Sequence, residues 1–472
     1  MWVSFIMKLT HFHFINPPSV YLFSFPRYQK VRRSSRKLTE YGIKSAQLFN
    51  GINHMKNNSI YTPAQPVAAQ KRVLGWRDLF SLWFSLGMGL MVLQAGAILA
   101  PGLGMAGSLL AIFTGTLVGV ILLALVGVIG GQTGLSSMSS LSLSLGKRGI
   151  ALPALFNILQ LIGWGAFEII VMRDAASLLA KQAWGPQSLW ANPTLWTWVF
   201  GFLATLLAVC GPLAFIRVVL RRWGIWLLIA SCAWLSVNLI QHTSLTALWH
   251  KAGDGSMPFA LACDIVVSMA LSWLPLVSDY TRFGKTSRQN FLGTACGFFL
   301  GSLWMMALGA AYTLAFVSSQ DSNALLLALS GVALGIPLLL ILIDEHENTF
   351  ADIHSAALST GTLLPINIGK LSWAIGLICT LIAWGVPLDR YENFLLLIGS
   401  VFAPLFGVVL MDYFVLRRRE PSTRSLDGRA LAAWILGIAT YHLIAQFYPN
   451  LGATVPSLLI AALFCWLFSK RR

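Results

Sequence analysis

The sequence is poor in charge. Asp, Glu, Lys and Arg together make up 11% of its 472 residues, less than half of the roughly 25% that an ordinary soluble domain carries. That shortfall excludes a water-solvated globular chain of this length. Cysteine is scarce too. Cys210, Cys232, Cys263, Cys296, Cys379 and Cys465 lie in or beside apolar segments and form no CxxC pair, so neither a disulfide framework nor a zinc site is indicated. Period-two alternation over stretches of about 10 residues is missing, which excludes a membrane barrel. Acidic residues number 17 against 33 basic ones, a net charge of +16. The excess does not point to nucleic acid, because the Lys and Arg sit in short loops between apolar runs, where they set membrane orientation.

What is abundant is apolar: 56% of the residues, gathered into runs of roughly the 20 residues that cross a bilayer. The pattern predicts an all-α integral membrane protein. About twelve transmembrane helices are expected, near residues 78–100, 106–131, 151–180, 192–211, 219–241, 258–279, 290–317, 323–358, 370–386, 391–415, 430–447 and 453–469. The charges support this division. Lys147, Arg148, Arg217, Arg221, Arg222, Arg282, Lys285, Arg288, Lys370, Arg417 to Arg419, Arg424 and Arg429 fall in alternate loops, whereas the opposite loops hold only Lys181, Lys251 and Arg390. With Lys470, Arg471 and Arg472 at the end, this places both termini in the cytoplasm of a multi-pass protein of the cell membrane.

Residues 1–70 differ. They are basic, lack a long apolar run and show no signal-peptide plan. They read as a tail, and Met55 opens MKNNSIYTPAQPVAAQKRVLGWRDLF, a plausible start of its own. Peptides upstream of Met55 in a mass spectrum of the native protein would remove that reading. Residues 71–472 then form the membrane-spanning domain, with a first repeat at about 78–241, a second at about 258–415 and two extra helices at about 430–469.

The repeat follows from two interrupted spans. The first, SLGMGLMVLQAGAILAPG, carries Gly87, Gly89 and Gly96 around Gln94; the sixth, SMALSWLPLVSDYTRF, holds Pro275. Proline in a helix frees a backbone carbonyl, and in a membrane irregular backbone survives only inside protein or along a cavity. Breaks at matched places in two halves mark an inverted-repeat transporter. For either span alone, close helix packing on glycine is the commoner reading.

Carboxylates repeat at the same interval. The third span holds Glu168, four residues after Trp164, so both lie on one helix face. An aromatic plane beside a hydrogen-bonding carboxylate suits a flat heterocycle. The eighth span holds IDEHENTFADIHS, in which Asp344, Asn348 and Asp352 share a stripe with Ser355 nearby. The bland alternative is a solvated loop after Leu342, but no Gly or Pro appears between Asp344 and Thr360. Ionisable groups inside a membrane are expensive and are functional by default. His346 and His354 belong to no recognisable metal-ligand set. Asp279 and Arg282 are spaced for an ion pair at a helix exit, and Trp273, beside Pro275, is a second candidate aromatic wall.

The stretches LWFSLGMGLMVLQAGAILAPG, IGWGAFEIIV, SWLPLVSDYTRF and DEHENTFADIHSAA resemble the nucleobase:cation symporter-1 (purine-cytosine permease) family, and within it the CytX branch of hydroxymethylpyrimidine transporters. The resemblance covers roughly residues 72–469. It implies a LeuT-type fold, five-plus-five inverted repeats followed by two C-terminal helices, and a substrate site built from Gln94, Trp164, Glu168, Trp273, Asn348 and Asp352. Trp164 matches the family's stacking Trp. Glu168 and Asp352 stand where the family has amides. Sodium-coupled members have hydroxyls on the eighth helix just before the Asn matched by Asn348. Here His346 and Glu347 stand there, and with Asp344 they are the cation-coupling candidates, favouring protons over sodium. The implied function is symport of a small aminopyrimidine, hydroxymethylpyrimidine foremost, with cytosine, another nucleobase or a hydantoin as alternatives. No cofactor beyond the coupling ion is implied, and the oligomeric state is left open. An intramembrane enzyme is the rival of a different class, but no convergent nucleophile or metal set supports it.

Overall fold

The computed structural model describes residues 65–210, 224–317, 324–385, 391–420 and 425–470. The proposed start at Met55, the loop arginines Arg217, Arg221, Arg222 and Arg424, Arg390, and the terminal Arg471 and Arg472 lie outside the described residues, as does the side chain of Asp344.

The described chain is almost entirely helical. The first span is two helices, α1 (Trp76–Leu86) and the start of α2 (Leu90–Thr133), separated by Gly87–Gly89. Gly104 (φ 69°) then divides α2 into the end of the first span and the second span. Glycine is required there: its backbone is left-handed, and a Cβ would strike the Lys251 carbonyl and the backbone of Gly253. The same corner is stitched to the chain at Lys251–Gly255 by Met105 N–H to Lys251 O (3.2 Å) and Asp254 N–H to Pro101 O (2.9 Å).

Six further helices of eight residues or more follow among the described residues: α3 (Ala151–Trp184), α4 (Pro193–Cys210), α5 (Ile225–His242), α6 (Phe259–Leu271), α7 (Leu274–Thr281) and α8 (Ser287–Phe316). The sixth span is thus α6 and α7, broken at Ser272–Trp273 with Pro275 in the first turn of α7. The eighth span departs from the expected single helix. A short α9 (Ala324–Ser330) ends in a left-handed turn at Ala333, Leu334 and Gly335, and α10 (Ile336–Leu363) restarts beyond it. IDEHENTFADIHS lies inside α10, so its charges belong to a helix and not to a solvated loop. The chain ends with α11 (Ile368–Gly385), α12 (Tyr391–Leu410), α13 (Gly428–Phe447) and α14 (Thr454–Lys470).

Among the described residues, nine helices are long and apolar enough to cross a membrane. The helix α10 is excluded from that set by its own polar stripe, and α14 by its 17 residues. The broken sixth span is the most enclosed, 83% buried against 28% for α13. It is therefore the centre of the bundle, and α13 lies at its periphery. Helices of the two halves pack on one another: α1 and α2 on α8, α2 on α6, α3 on α10, and α4 on α11. Small residues set the separation. A Cβ on Gly96 would overlap the Met306 backbone, and one on Gly309 the Leu93 carbonyl. Gly96 is thus a packing glycine, whereas Gly87 and Gly89 belong to the break.

Candidate functional site

Both breaks leave backbone groups without helical partners, and neighbouring helices supply them. At the sixth span Pro275 has no N–H to give, and Leu276 N–H turns to Trp273 O (3.2 Å). The Ser272 carbonyl accepts instead from Gln160 Nε2 (3.1 Å), and the Pro275 carbonyl from Asn157 Nδ2 (3.3 Å). Gln160 also donates to Asn157 Oδ1 (2.8 Å), and Asn157 to Ser359 Oγ (2.8 Å). At the first span, Glu345 of α10 accepts from Leu90 N–H (2.7 Å), so a carboxylate caps the freed N-terminus of α2. Glu347 accepts from Ser85 Oγ (2.7 Å) in the last turn of α1. Both halves of the broken helix are therefore held by α10. Gly89 makes room, since a Cβ there would collide with Asn348 Nδ2 and sit 3.0 Å from Glu345 Oε2.

Between the breaks lies a tight cavity of about 20 Å³, lined by Leu86, Met91 and Val92 at the first break, Trp164 and Glu168 on α3, Met269, Ser272 and Trp273 at the second break, and Asn348 and Asp352 on α10. Five of the six substrate-site residues expected from the sequence thus meet at one place. Gln94 does not join them. Counting 100° per residue, it projects about 110° from the middle of the face that Met91 and Val92 present.

The lining has a distinct chemistry. Glu168 and Asp352 are each 3% exposed and Asn348 is 4% exposed. Among the described residues, Glu168 Oε2, Asp352 Oδ2 and Asn348 Oδ1 have no hydrogen-bond partner. The Glu168 and Asp352 carboxyls lie close enough to bond to each other once one carries a proton. Ser272 Oγ is already committed to Met269 O (2.7 Å). Among the described residues, no Lys, Arg or His lines the cavity. Trp164 is braced edge-on by Phe394 (centroids 5.4 Å apart) and Trp273 by Trp83 (5.9 Å), which leaves two fixed aromatic walls.

Other expectations are redirected. His346 faces away from the first break: its ring packs edge-on against Phe200 of α4 (5.0 Å), and Nδ1 meets the Leu342 carbonyl (3.1 Å). One residue on, a 100° rotation turns Glu347 to α1 instead. The Asp279 carboxylate accepts from Ser137 N–H (2.8 Å), and Arg282 Nε donates to the Asp279 backbone carbonyl (3.3 Å). That pair secures the end of α7 and takes no part in the cavity. Three functional residues were not singled out from the sequence. Asn157 and Gln160 extend the Trp164–Glu168 stripe by helical spacing, a signal that was there to find. Glu345 had no such signal, because its role exists only once α2 is broken.

Residues 66–465 match the model of a family described as permeases for cytosine/purines, uracil, thiamine and allantoin. The chain belongs to this nucleobase:cation symporter-1 family. The permease is 26% identical to the cytosine permease of Escherichia coli (strain K12) over 408 residues, covering 84% of this chain and 91% of the relative. It is 24% identical to the allantoin permease of Bacillus subtilis (strain 168), covering 82% and 87%. The solved structure of Mhp1, a nucleobase-cation-symport-1 family transporter in a closed conformation with bromovinylhydantoin bound, superposes with a TM-score of 0.74 at 19% identity, covering 87% of this chain and 95% of Mhp1. The permease therefore has the multi-pass, LeuT-type transporter fold expected from its broken spans.

Proposed function

We propose that this permease imports a small aminopyrimidine, 4-amino-5-hydroxymethyl-2-methylpyrimidine foremost, with a proton, across the cell membrane by alternating access. The observation that carries the reading is the carboxyl pair Glu168 and Asp352 in a cavity walled by Trp164 and Trp273 and lined, among the described residues, by no cationic side chain. The rings stack a flat heterocycle. The free oxygens accept from an exocyclic amine, and a carboxylate makes a charge-assisted bond to a protonated ring nitrogen. An oxo-pyrimidine, with carbonyls facing those oxygens, fits worse.

Proton coupling is supported by Glu347. Its carboxyl meets Ser85 at the first break, where sodium-coupled relatives are expected to use a neutral hydroxyl. The basic loops support cytoplasmic termini. The test is counterflow in proteoliposomes. Labelled hydroxymethylpyrimidine should exchange chemically unchanged, with stronger competition from cytosine than from uracil or hydantoins. Uptake should follow a pH gradient and ignore a sodium gradient. Preferential competition by hydantoins, or uptake that tracks sodium alone, overturns the corresponding half of the proposal.

A further inference from the structure

The first half of the broken sixth span has a second polar face. Met269 of α6 lines the cavity, but Ser268, one residue earlier and about 100° round the helix, turns to α12. A Cβ added to Gly399 of α12 would have three oxygens as its nearest neighbours: Ser268 Oγ at 2.8 Å, Thr454 Oγ1 at 3.4 Å and Tyr441 Oη at 3.7 Å. One point, left open by a glycine, is thus surrounded by hydroxyls from α6, α13 and α14. Asp264, one turn before Ser268 on α6, stands beside Tyr441 and Thr454. Its carboxylate accepts from the backbone N–H groups of Ala453 and Thr454. Those bonds cap the start of α14 and favour the ionised form.

The hydroxyls are not spent elsewhere. Asp264 is 5% exposed and Tyr441 4%, while Ser268 and Thr454 are fully buried. Among the described residues, Ser268 Oγ and Thr454 Oγ1 have no hydrogen-bond partner. A buried serine in a helix commonly bonds back to a carbonyl one turn earlier. Ser400 does so to Leu397 O (2.7 Å) and Ser457 to Thr454 O (2.9 Å), both close by. Ser268 makes no such bond and aims its oxygen at the gap over Gly399. Asp264 has no Lys, Arg or His partner among the described residues. A carboxylate inside a membrane protein calls for a compensating charge, and oxygen donors suit a hard cation. One carboxylate balances one positive charge. A divalent ion would leave a buried charge uncompensated.

We infer that Asp264, Ser268, Tyr441 and Thr454 hold a monovalent alkali cation, sodium or potassium, at the junction of α6, α12, α13 and α14. The ion fastens the wall that carries Met269 to the two C-terminal helices. It is distinct from the Ser85–Glu347 contact at the first break. It stays in place while substrate and proton cross, so it adds no sodium gradient to the driving force.

The experiment is thermal unfolding of the purified full-length permease, without substrate, in sodium, potassium or choline chloride at equal ionic strength. The melting temperature should rise with the concentration of at least one alkali ion, by mass action, and the arm that responds identifies the ion. No response to either ion, as expected if water fills the gap, overturns the inference. So does a response to calcium alone. Ser268→Ala removes one ligand, and Gly399→Ala puts a methyl group at the converging point. Each should lower affinity for the ion, read from the concentration at which the rise sets in, about tenfold or more, whatever it does to the melting temperature in choline. A smaller loss in either variant overturns the inference. Glu347→Gln should keep the wild-type response; loss of the response there would move the ion to the first break and overturn this site. All of these readouts are taken without substrate, so they stand or fall apart from the aminopyrimidine reading.

Discussion

Replacing Gln160 by Met removes an amide at nearly constant volume and tests how the cavity wall is held. Gln160 Nε2 makes two buried bonds, 2.8 Å to Asn157 Oδ1 and 3.1 Å to Ser272 O. Each acceptor left orphaned in a buried site costs about 1–3 kcal/mol, so the variant loses about 2–6 kcal/mol if neither finds a new donor. Ser272 and Trp273 are lining residues, and the Ser272 carbonyl cannot fall back on its helix because Leu276 N–H is bonded to Trp273 O. If one orphan's cost is felt in the bound state, substrate affinity falls about 5- to 150-fold. The assay is equilibrium binding of labelled substrate to the purified permease, paired with thermal unfolding. Weaker binding together with a lower melting temperature is expected. A lower melting temperature with unchanged affinity would refute the positioning role, and wild-type values for both would refute the clamp altogether.

Other consequences follow from single contacts. Gly96→Ala pushes α2 away from the Met306 backbone, an overpacking cost of about 1–3 kcal/mol that should appear as a lower melting temperature; an unchanged one contradicts the close approach. His346→Leu should leave the dependence on pH and sodium gradients as in wild type, because the ring packs on Phe200; an altered gradient response would return His346 to the coupling machinery. Glu347→Gln keeps an acceptor for Ser85 Oγ but cannot ionise, so uptake should lose sensitivity to a pH gradient; full retention of that sensitivity removes Glu347 from coupling.

The fold was legible because its signals are local. Apolar run length gives the spans, basic loops give their alternation, and Gly87, Gly89 and Pro275 give the breaks. The left-handed turn at Ala333–Gly335 was not legible, since Ala and Leu carry no local signal for positive φ. The site was legible where a helical stripe points to one side, as for Trp164 with Glu168 and Asn348 with Asp352. It was illegible where a role depends on a distant break. Glu345 looks like one more carboxylate until Leu90 N–H is left open, and Gln94 looks like a pocket amide until the turn of α2 aims it elsewhere. His346 and Glu347 show the same limit: adjacent in sequence, they meet α4 and α1 respectively.

The central claim is that the carboxyl pair selects an amino-bearing ring. Its most direct test is uptake of labelled hydroxymethylpyrimidine and of labelled uracil by wild-type and Glu168→Gln permease in matched proteoliposomes. A hydrogen bond to a charged group contributes about 1.5–3 kcal/mol and a neutral one about 0.5–1.5 kcal/mol. Uptake of the aminopyrimidine should therefore fall about 5- to 13-fold, and any uptake of uracil should fall less. Equal loss for both substrates would contradict the claim.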